Sequence, residues 1–120
     1  MVSAKRNVRI NMSNFNEYQE QANKTAIYPK ERAIEYLVLG LASEAGEVAG
    51  KLKKLIRDKG GVIGVHESEV LCDEVGDVLW YVSQIASELN MQLEQVAHRN
   101  ISKLQSRQRR GVIGGSGDKR

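Results

Sequence analysis

Apolar side chains recur at helical spacing along three segments, and this periodicity constrains the fold more than any other feature of the chain. Leu, Val, Ile or Ala returns every three or four residues, which places these side chains on one stripe of an α-helix. The three stripes are Leu41, Ala45, Val48, Leu52 and Leu55; Leu71, Val75, Val78, Val82, Ile85 and Leu89; and Leu93, Ala97, Ile101 and Leu104. No strand-like alternation persists anywhere. The chain is therefore predicted to be all-α, with these stripes as core faces.

Local signals set the ends of four predicted helices. Asn14 and Glu17 resemble a capping box at the first helix, and Pro29 fits the start of the second. Glycine or asparagine stops follow the last three helices, at Gly60–Gly61, Asn90 and Gly111. The predicted helices span about 15–24, 30–58, 67–89 and 93–110. Residues 1–12 are interpreted as an irregular arm and 111–120 as a glycine-rich tail of one four-helix, bundle-like domain.

Composition narrows the class of protein. A chain of 120 residues is expected to form a single domain, and 41% hydrophobic residues is ordinary for a globular protein. The basic start lacks the apolar segment of a signal peptide, and no uncharged run is long enough to span a membrane. A single cysteine excludes an internal disulfide and fits a reducing compartment. We therefore expect a cytoplasmic protein.

The remaining titratable side chains give weaker signals. Cys72 lies within a helical pattern and is interpreted as a small packing residue, whereas His66 and His98 have no partner at metal-ligand spacing and are expected at the surface.

The net charge is +3, with the excess at the two chain ends. A basic protein favours a polyanionic partner, which is either a nucleotide or a nucleic acid. The basic end of the fourth helix lacks interleaved aromatic residues, and this disfavours nucleic acid.

Two acidic pairs stand at matching positions beside the apolar stripes. Glu44 and Glu47 flank Gly46 on the second helix, and Glu74 and Asp77 flank Gly76 on the third. At about 100° per residue, both pairs lie on the same edge of their stripes. The two glycines cost helix stability, so they suggest close helix packing. A solvated surface remains the alternative explanation for the acidic pairs.

Four converging carboxylates would repel one another unless a cation lay between them. Because the set contains neither His nor Cys, a hard ion is indicated, with Mg²⁺ preferred and Mn²⁺ as a substitute. Polar residues continue the same flank and are candidate contacts for an anion: Lys51, Lys54, Asn100, Lys103 and Arg107. Lys51 and Lys54 are also placed to be simple ion-pair partners of Glu47 within the helix.

These residues resemble a known family. The segments "EAGE", "KLKK", "DEVGDVLWYV" and "NISKLQSR", with the ending "RGVIGGSGDKR", are similar to the MazG-like all-α nucleoside triphosphate pyrophosphohydrolases, in particular to short phage and bacterial members. The resemblance covers roughly 18–120. It implies Mg²⁺-dependent cleavage of a (d)NTP to (d)NMP and pyrophosphate. It also implies that the four acidic residues bind the metal and perform catalysis, and that the polar flank binds phosphate.

Other functions remain open from the sequence. A non-catalytic helical module that binds nucleotide or nucleic acid is the runner-up. A di-iron carboxylate bundle would need Glu-x-x-His pairs, which this chain lacks. Candidate base-binding residues are Tyr18, Gln19, Tyr28 and Trp80, each of which also suits a packing role.

Trp80 also suggests self-association. It is predicted to lie opposite the apolar stripe of the third helix, on a column of small residues comprising Gly76, Ser83 and Ser87. A helix from another copy of the chain would cover such a face. The resemblance implies dimers or dimers of dimers, so a homo-oligomer is expected, with a tetramer favoured over a dimer. The alternative is that Trp80 covers the N-terminal arm of its own chain.

Overall fold

A computed structural model describes residues 10–120, which form four α-helices and contain no strand. Helix α1 spans Phe15–Asn23, α2 spans Ala33–Lys59, α3 spans Val65–Glu88 and α4 spans Leu93–Arg109. A single 3₁₀ turn, Lys30–Arg32, precedes α2. The all-α prediction is confirmed. Most of the predicted N-terminal arm lies outside the described residues.

The predicted helix signals act at the expected places. The Asn14 side chain accepts a hydrogen bond from the Glu17 backbone amide, which caps α1. Gly60 ends α2 in the left-handed conformation with φ of 63°, and Asn90 follows α3 with φ of 55°. Two helix starts differ from the prediction: α2 begins three residues later, at Ala33, after the 3₁₀ turn, and α3 begins two residues earlier because Gly64 provides its extended N-cap.

Helices α2 and α3 form an antiparallel pair, which is the most extensive helix contact in the described chain. Near the start of α2, a small core contains Tyr28, Ala33 and Leu37, with Trp80 and Tyr81 of α3 packed against it. Farther along the pair, the partly buried positions of α2 are Leu41, Glu44, Val48, Gly50, Lys51 and Leu55. Two charged residues therefore occupy the face between the helices, and not only its edge.

Helix α1 covers the back of α3. Ser87 receives a hydrogen bond from the Gln19 amide and donates one to Asn23, while Ser83 is fully buried. This corrects the interpretation of Ser83 and Ser87 as part of an intersubunit surface, whereas Gly76 of the same column is exposed. Trp80 likewise packs within its own chain, against Tyr28 in the α1–α2 connection. Sequence periodicity locates such a face but does not say which helix covers it.

Gln19 joins three elements and should be important for stability. Its buried side chain donates to Ser87 and to the Met91 carbonyl, and it accepts from the Leu93 amide. We expect Gln19→Ala to lower the free energy of unfolding by about 2 kcal/mol, because the buried groups lose their partners. Urea unfolding followed by circular dichroism measures this loss. The exposed Gln21→Ala on the same helix is the control, and an equal loss in both variants would contradict the assignment.

Helix α4 extends away from the α2–α3 pair. It contacts α1 and α3 but not α2. The radius of gyration is 18.2 Å, whereas a compact domain of this length has roughly 14 Å. Six positions of the predicted core stripes are consequently exposed in the single chain, namely Ala45, Leu52, Val75, Leu89, Ile101 and Leu104.

Cys72 is exposed, so the prediction that it packs as a small core residue is wrong. It lies on the outer side of α3, where the single chain has no neighbouring helix. His66 and His98 are exposed, as predicted. Among the residues from 10 to 120, no helix combines the length and the apolarity that a membrane crossing requires.

Candidate metal centre

Three of the four predicted carboxylates converge between α2 and α3. Glu44 on α2 and Glu74 and Asp77 on α3 each place one oxygen so that all three lie within 4.8 Å of one another. Glu74 and Asp77 are three residues apart and so face the same side of α3. Glu47 lies one turn beyond Glu44 on α2 and is exposed, outside this group of three.

The electrostatics show that the cluster is short of positive charge. Partial burial raises the pKa of the Glu44 carboxyl, and the charges of Asp77, Glu74 and Glu47 raise it further. Lys51 provides partial compensation, because its Nζ lies 2.9 Å from Oε1 of Glu74. That hydrogen bond raises the pKa of the Lys51 ammonium. A divalent cation among these oxygens would relieve the remaining repulsion.

The glycines within the acidic pairs do not have the predicted packing role. A methyl group added at Gly46 or Gly76 would meet no atom of the single chain within 4 Å. The close approach occurs instead at Gly40 of α2, where an added Cβ would overlap the aromatic ring of Tyr81. Sequence symmetry between the two acidic motifs therefore pointed to the wrong glycines.

An open pocket of about 340 Å³ adjoins the carboxylates. Glu44 and Asp77 form one side, and Trp80, Tyr81 and Thr25 form the other. The Thr25 hydroxyl accepts a hydrogen bond from the Trp80 indole nitrogen at 2.8 Å, which fixes the ring. The Trp80 and Tyr81 rings are nearly perpendicular, with their centroids 5.0 Å apart. This arrangement places aromatic surface beside the acidic cluster.

The sequence analysis did not identify Tyr81 and Thr25 as site residues. Tyr81 follows Asp77 by four residues, so the helical period alone puts it on the carboxylate face. Burial raises the pKa of its hydroxyl, as do Tyr36 and Glu44. Thr25 carried no comparable signal, because it lies in an irregular connection whose path depends on tertiary packing.

The other predicted base-binding residues divide into two kinds. Tyr18 lies near the centre, since burial raises the pKa of its hydroxyl and the charge of Asp77 adds to the effect. Gln19 has all its amide contacts within the fold, as described above. Tyr28 is buried and donates a 2.6 Å hydrogen bond to Glu88, and burial with this bond raises its pKa to about 12. Gln19 and Tyr28 are therefore structural in this chain.

A second cleft, of about 290 Å³, lies at the α2–α3 turn on the far side of the cluster. Lys51, Lys54 and Lys59 of α2 line it, together with His66 and Glu67 of α3, and Lys59 forms a 2.9 Å ion pair with Glu67. Of the predicted cations, Lys51 reaches both this cleft and the carboxylate of Glu74, whereas Lys54 lines the cleft. The α2–α3 pair thus carries aromatic residues at one end, carboxylates in the middle and lysines at the turn.

The predicted cations of α4 lie apart from this centre within one chain. Asn100 and Lys103 line a groove between α4 and the end of α3, together with Leu89 and Val96. Arg107 is buried, and its guanidinium donates to the carbonyl of Asp118 in the folded tail. The prediction that Asn100, Lys103 and Arg107 share a flank with the carboxylates is therefore wrong for a single chain, because α4 does not pack against α2.

Comparison with known proteins gives the family. A model of the MazG nucleotide pyrophosphohydrolase domain matches residues 32–112, a segment that contains α2, α3, α4 and all four acidic residues. The chain belongs to the MazG nucleotide pyrophosphohydrolase family. It is 50% identical over 109 residues to the Gene 37 protein of Mycobacterium phage L5, a match that covers 86% of this chain and 96% of that protein. No solved structure matches the chain.

Membership of the MazG family confirms the resemblance seen in the sequence and supports a hydrolase of the pyrophosphohydrolase type. MazG-type hydrolases generally depend on a divalent metal ion, and the acidic cluster fits that requirement. The oxygen-only ligand set of the MazG domain suits a hard cation.

Proposed function

We propose that this chain is a Mg²⁺-dependent hydrolase that cleaves a (d)NTP between the α and β phosphates, giving (d)NMP and pyrophosphate. The observation that carries the proposal is the convergence of Glu44, Glu74 and Asp77 beside a pocket with aromatic walls, inside the segment that the MazG model matches. Such an enzyme would control nucleotide pools in the cytoplasm, in that of the host if a phage encodes the chain.

The metal would be held by Glu44, Glu74 and Asp77, with Glu47 one turn away as a fourth ligand. Mn²⁺ is the expected substitute for Mg²⁺, because both accept carboxylate oxygens. When bound, the ion neutralises phosphate charge and lowers the pKa of a coordinated water. Phosphoryl transfer of this kind needs positioning and charge neutralisation more than covalent catalysis.

The chain's own residues supply the remaining functions. The aromatic faces of Trp80 and Tyr81, with Tyr18 nearby, receive the nucleoside, while Lys51 and Lys54 contact the phosphates. Hydrolysis adds water across the bond between the α phosphorus and its bridging oxygen, and that oxygen leaves with the pyrophosphate. A carboxylate of the cluster accepts the proton of the attacking water.

Product analysis tests the proposal. Each (d)NTP is incubated with the protein and Mg²⁺, and the products are followed by ³¹P NMR, with EDTA as the control. We expect nucleoside monophosphate and pyrophosphate in equal amounts, and no reaction in EDTA. A nucleotide that binds without turnover would favour the non-catalytic helical module. Release of nucleoside diphosphate and orthophosphate would contradict cleavage at the proposed bond. Activity of the Mg²⁺-loaded, iron-free protein would exclude the di-iron alternative.

The active form is a homo-oligomer, with a tetramer favoured over a dimer. The single chain exposes large apolar side chains on two helices, including Leu39 and Ile56 of α2 and Ile101 of α4. A solvated monomer rarely tolerates so much exposed apolar surface. A second copy that covers these faces would also bring the cations of its α4 towards the carboxylates, which the chain's own α4 does not reach. The support is therefore the open α2 and α4 faces, and no longer the position of Trp80.

We expect the wild type to elute as an oligomer in size-exclusion chromatography with light scattering. Ile101→Glu should shift the protein towards smaller species, because it places a charge in a covered apolar face. The fold of each chain should survive, since Ile101 is 53% exposed in the single chain. Ser102→Glu, on an exposed position about 100° around the same helix from Ile101, is the control for added charge. A monomeric wild type at micromolar concentration would contradict this expectation.

A further inference from the structure

Lys51 occupies an unusual position for a cation that is expected to contact substrate. Its ammonium reaches across from α2 and lies 2.9 Å from Oε1 of Glu74 on α3. The Glu74 side chain is only 16% exposed, so this contact is more shielded than an ordinary surface ion pair. Among residues 10–120, this is the one ion pair made by a carboxylate of the metal cluster.

The same carboxylate cannot serve Lys51 and a divalent ion equally well. A bound Mg²⁺ sits about 2.0–2.1 Å from each ligand oxygen. An ammonium held beside the same oxygen would then lie within a few ångströms of the metal, where two positive charges repel strongly in a partly buried site. The entering ion therefore has to displace the Lys51 ammonium or bind in spite of the repulsion between the two positive charges.

The cleft at the α2–α3 turn can receive the displaced ammonium. Lys51 also lines the cleft at the α2–α3 turn, next to Lys54 and Lys59. A lysine head group on its flexible four-carbon stem can move between the two positions without any change in the backbone. In the cleft it would join Lys54 and Lys59, and because Lys59 is already paired with Glu67, the arriving ammonium adds a positive charge that an anion can neutralise.

We propose that Lys51 is an exchangeable internal counter-ion, which neutralises Glu74 in the metal-free protein and is released by the entering metal to bind the β and γ phosphates in the lysine cleft. The inference rests on the proposed function and deepens it. It makes metal binding and phosphate binding coupled events, because the ion that fills the cluster also frees a cation for the substrate. It also fixes the direction of the nucleotide, with the nucleoside at Trp80 and Tyr81 and the terminal phosphates at the turn.

Metal affinity without nucleotide gives the sharpest test. Mn²⁺ binding is titrated by isothermal calorimetry and by electron paramagnetic resonance, for the wild type and for Lys51→Met. If Lys51 competes with the metal for Glu74, its removal should tighten Mn²⁺ binding about fivefold to tenfold, which corresponds to roughly 1–1.4 kcal/mol. Lys53→Met is the matched control, because it removes the same charge from an exposed position on another face of α2 and should change the affinity less than twofold.

Thermal unfolding provides a second readout. Lys51→Met should melt at a lower temperature than the wild type without metal, because Glu74 loses its partner, and saturating Mn²⁺ should raise its melting temperature more than that of the wild type. If the methionine variant does not fold, Lys51→Gln replaces it, since glutamine keeps the polarity and removes the charge.

The possible outcomes distinguish failure of the Lys51 exchange from failure of the proposed metal site. A wild type that binds no Mn²⁺ would overturn the proposed metal site itself. A wild type that binds Mn²⁺, together with Lys51→Met affinity equal to or weaker than that of Lys53→Met, would overturn the exchange and leave the metal site standing. Tighter binding in Lys51→Met alone, with a larger metal-induced rise in melting temperature, is the result that supports it.

Discussion

Replacing any one of Glu44, Glu74 or Asp77 by its amide should reduce the Mg²⁺-dependent hydrolysis of (d)NTP by about a thousandfold or more. The amide keeps the size of the side chain but removes the charge that holds the cation. A loss of several kcal/mol in transition-state stabilisation is what a catalytic divalent ion supplies, and each 1.36 kcal/mol corresponds to a factor of about ten. Initial rates of pyrophosphate release measure the effect.

These variants should remain folded. Glu44→Gln should be at least as stable as the metal-free wild type, because burial and the charges of Asp77, Glu74 and Glu47 raise the pKa of Glu44, and removing its charge relieves both effects. Glu74→Gln differs, since it also removes the partner of Lys51. Glu69→Gln, on an exposed position of α3, is the control and should keep wild-type activity. Near-normal turnover in two of the three cluster variants would contradict the proposal that these carboxylates bind the metal ion.

Gly40→Ala should cost about 1–3 kcal/mol of stability and most of the activity. The new methyl group would overlap the ring of Tyr81, which lies against α2 at this point and forms one wall of the aromatic pocket. Overpacking of this size forces side chains off their rotamers. The Tyr81 ring would have to leave its place beside Glu44 and Asp77. Urea unfolding and the Michaelis constant for nucleotide report the two effects separately.

Gly50→Ala provides a control of opposite sign on the same helix. An added Cβ meets nothing within 4 Å there, so the substitution should stabilise the helix by up to about 1 kcal/mol. A double-mutant cycle isolates the cause, because Gly40→Ala should lose much of its cost in a Tyr81→Ala background. Equal destabilisation by Gly40→Ala with and without the Tyr81 ring would show that the contact is not responsible.

The helical period predicted the elements well because their signals are local. The cap at Asn14 and the stops at Gly60 and Asn90 depend on a few neighbouring residues, and each acts where the sequence placed it. The same period brought Glu74 and Asp77 to one face of α3. Pairing this face with Glu44 required only that α2 and α3 pack side by side, as helices joined by a short glycine turn do.

Features that depend on long-range packing were not predictable in this way. The sequence could not show that α1 covers Ser83 and Ser87, so the small-residue column and Trp80 were assigned to an intersubunit contact. Nor could it show that α4 avoids α2, which separates Asn100 and Lys103 from the carboxylates in one chain. Thr25 joined the pocket only because the α1–α2 connection passes over Trp80.

The ligand positions can be observed directly by anomalous diffraction from crystals soaked in Mn²⁺. We expect an anomalous peak between α2 and α3, with oxygens of Glu44, Glu74 and Asp77 within roughly 2.5 Å of it, in keeping with the short bonds of such ions. We also expect that the Lys51 ammonium will have moved away from Glu74. Ordered carboxylates with no peak among them at saturating Mn²⁺, or a peak held by other residues, would contradict the central claim.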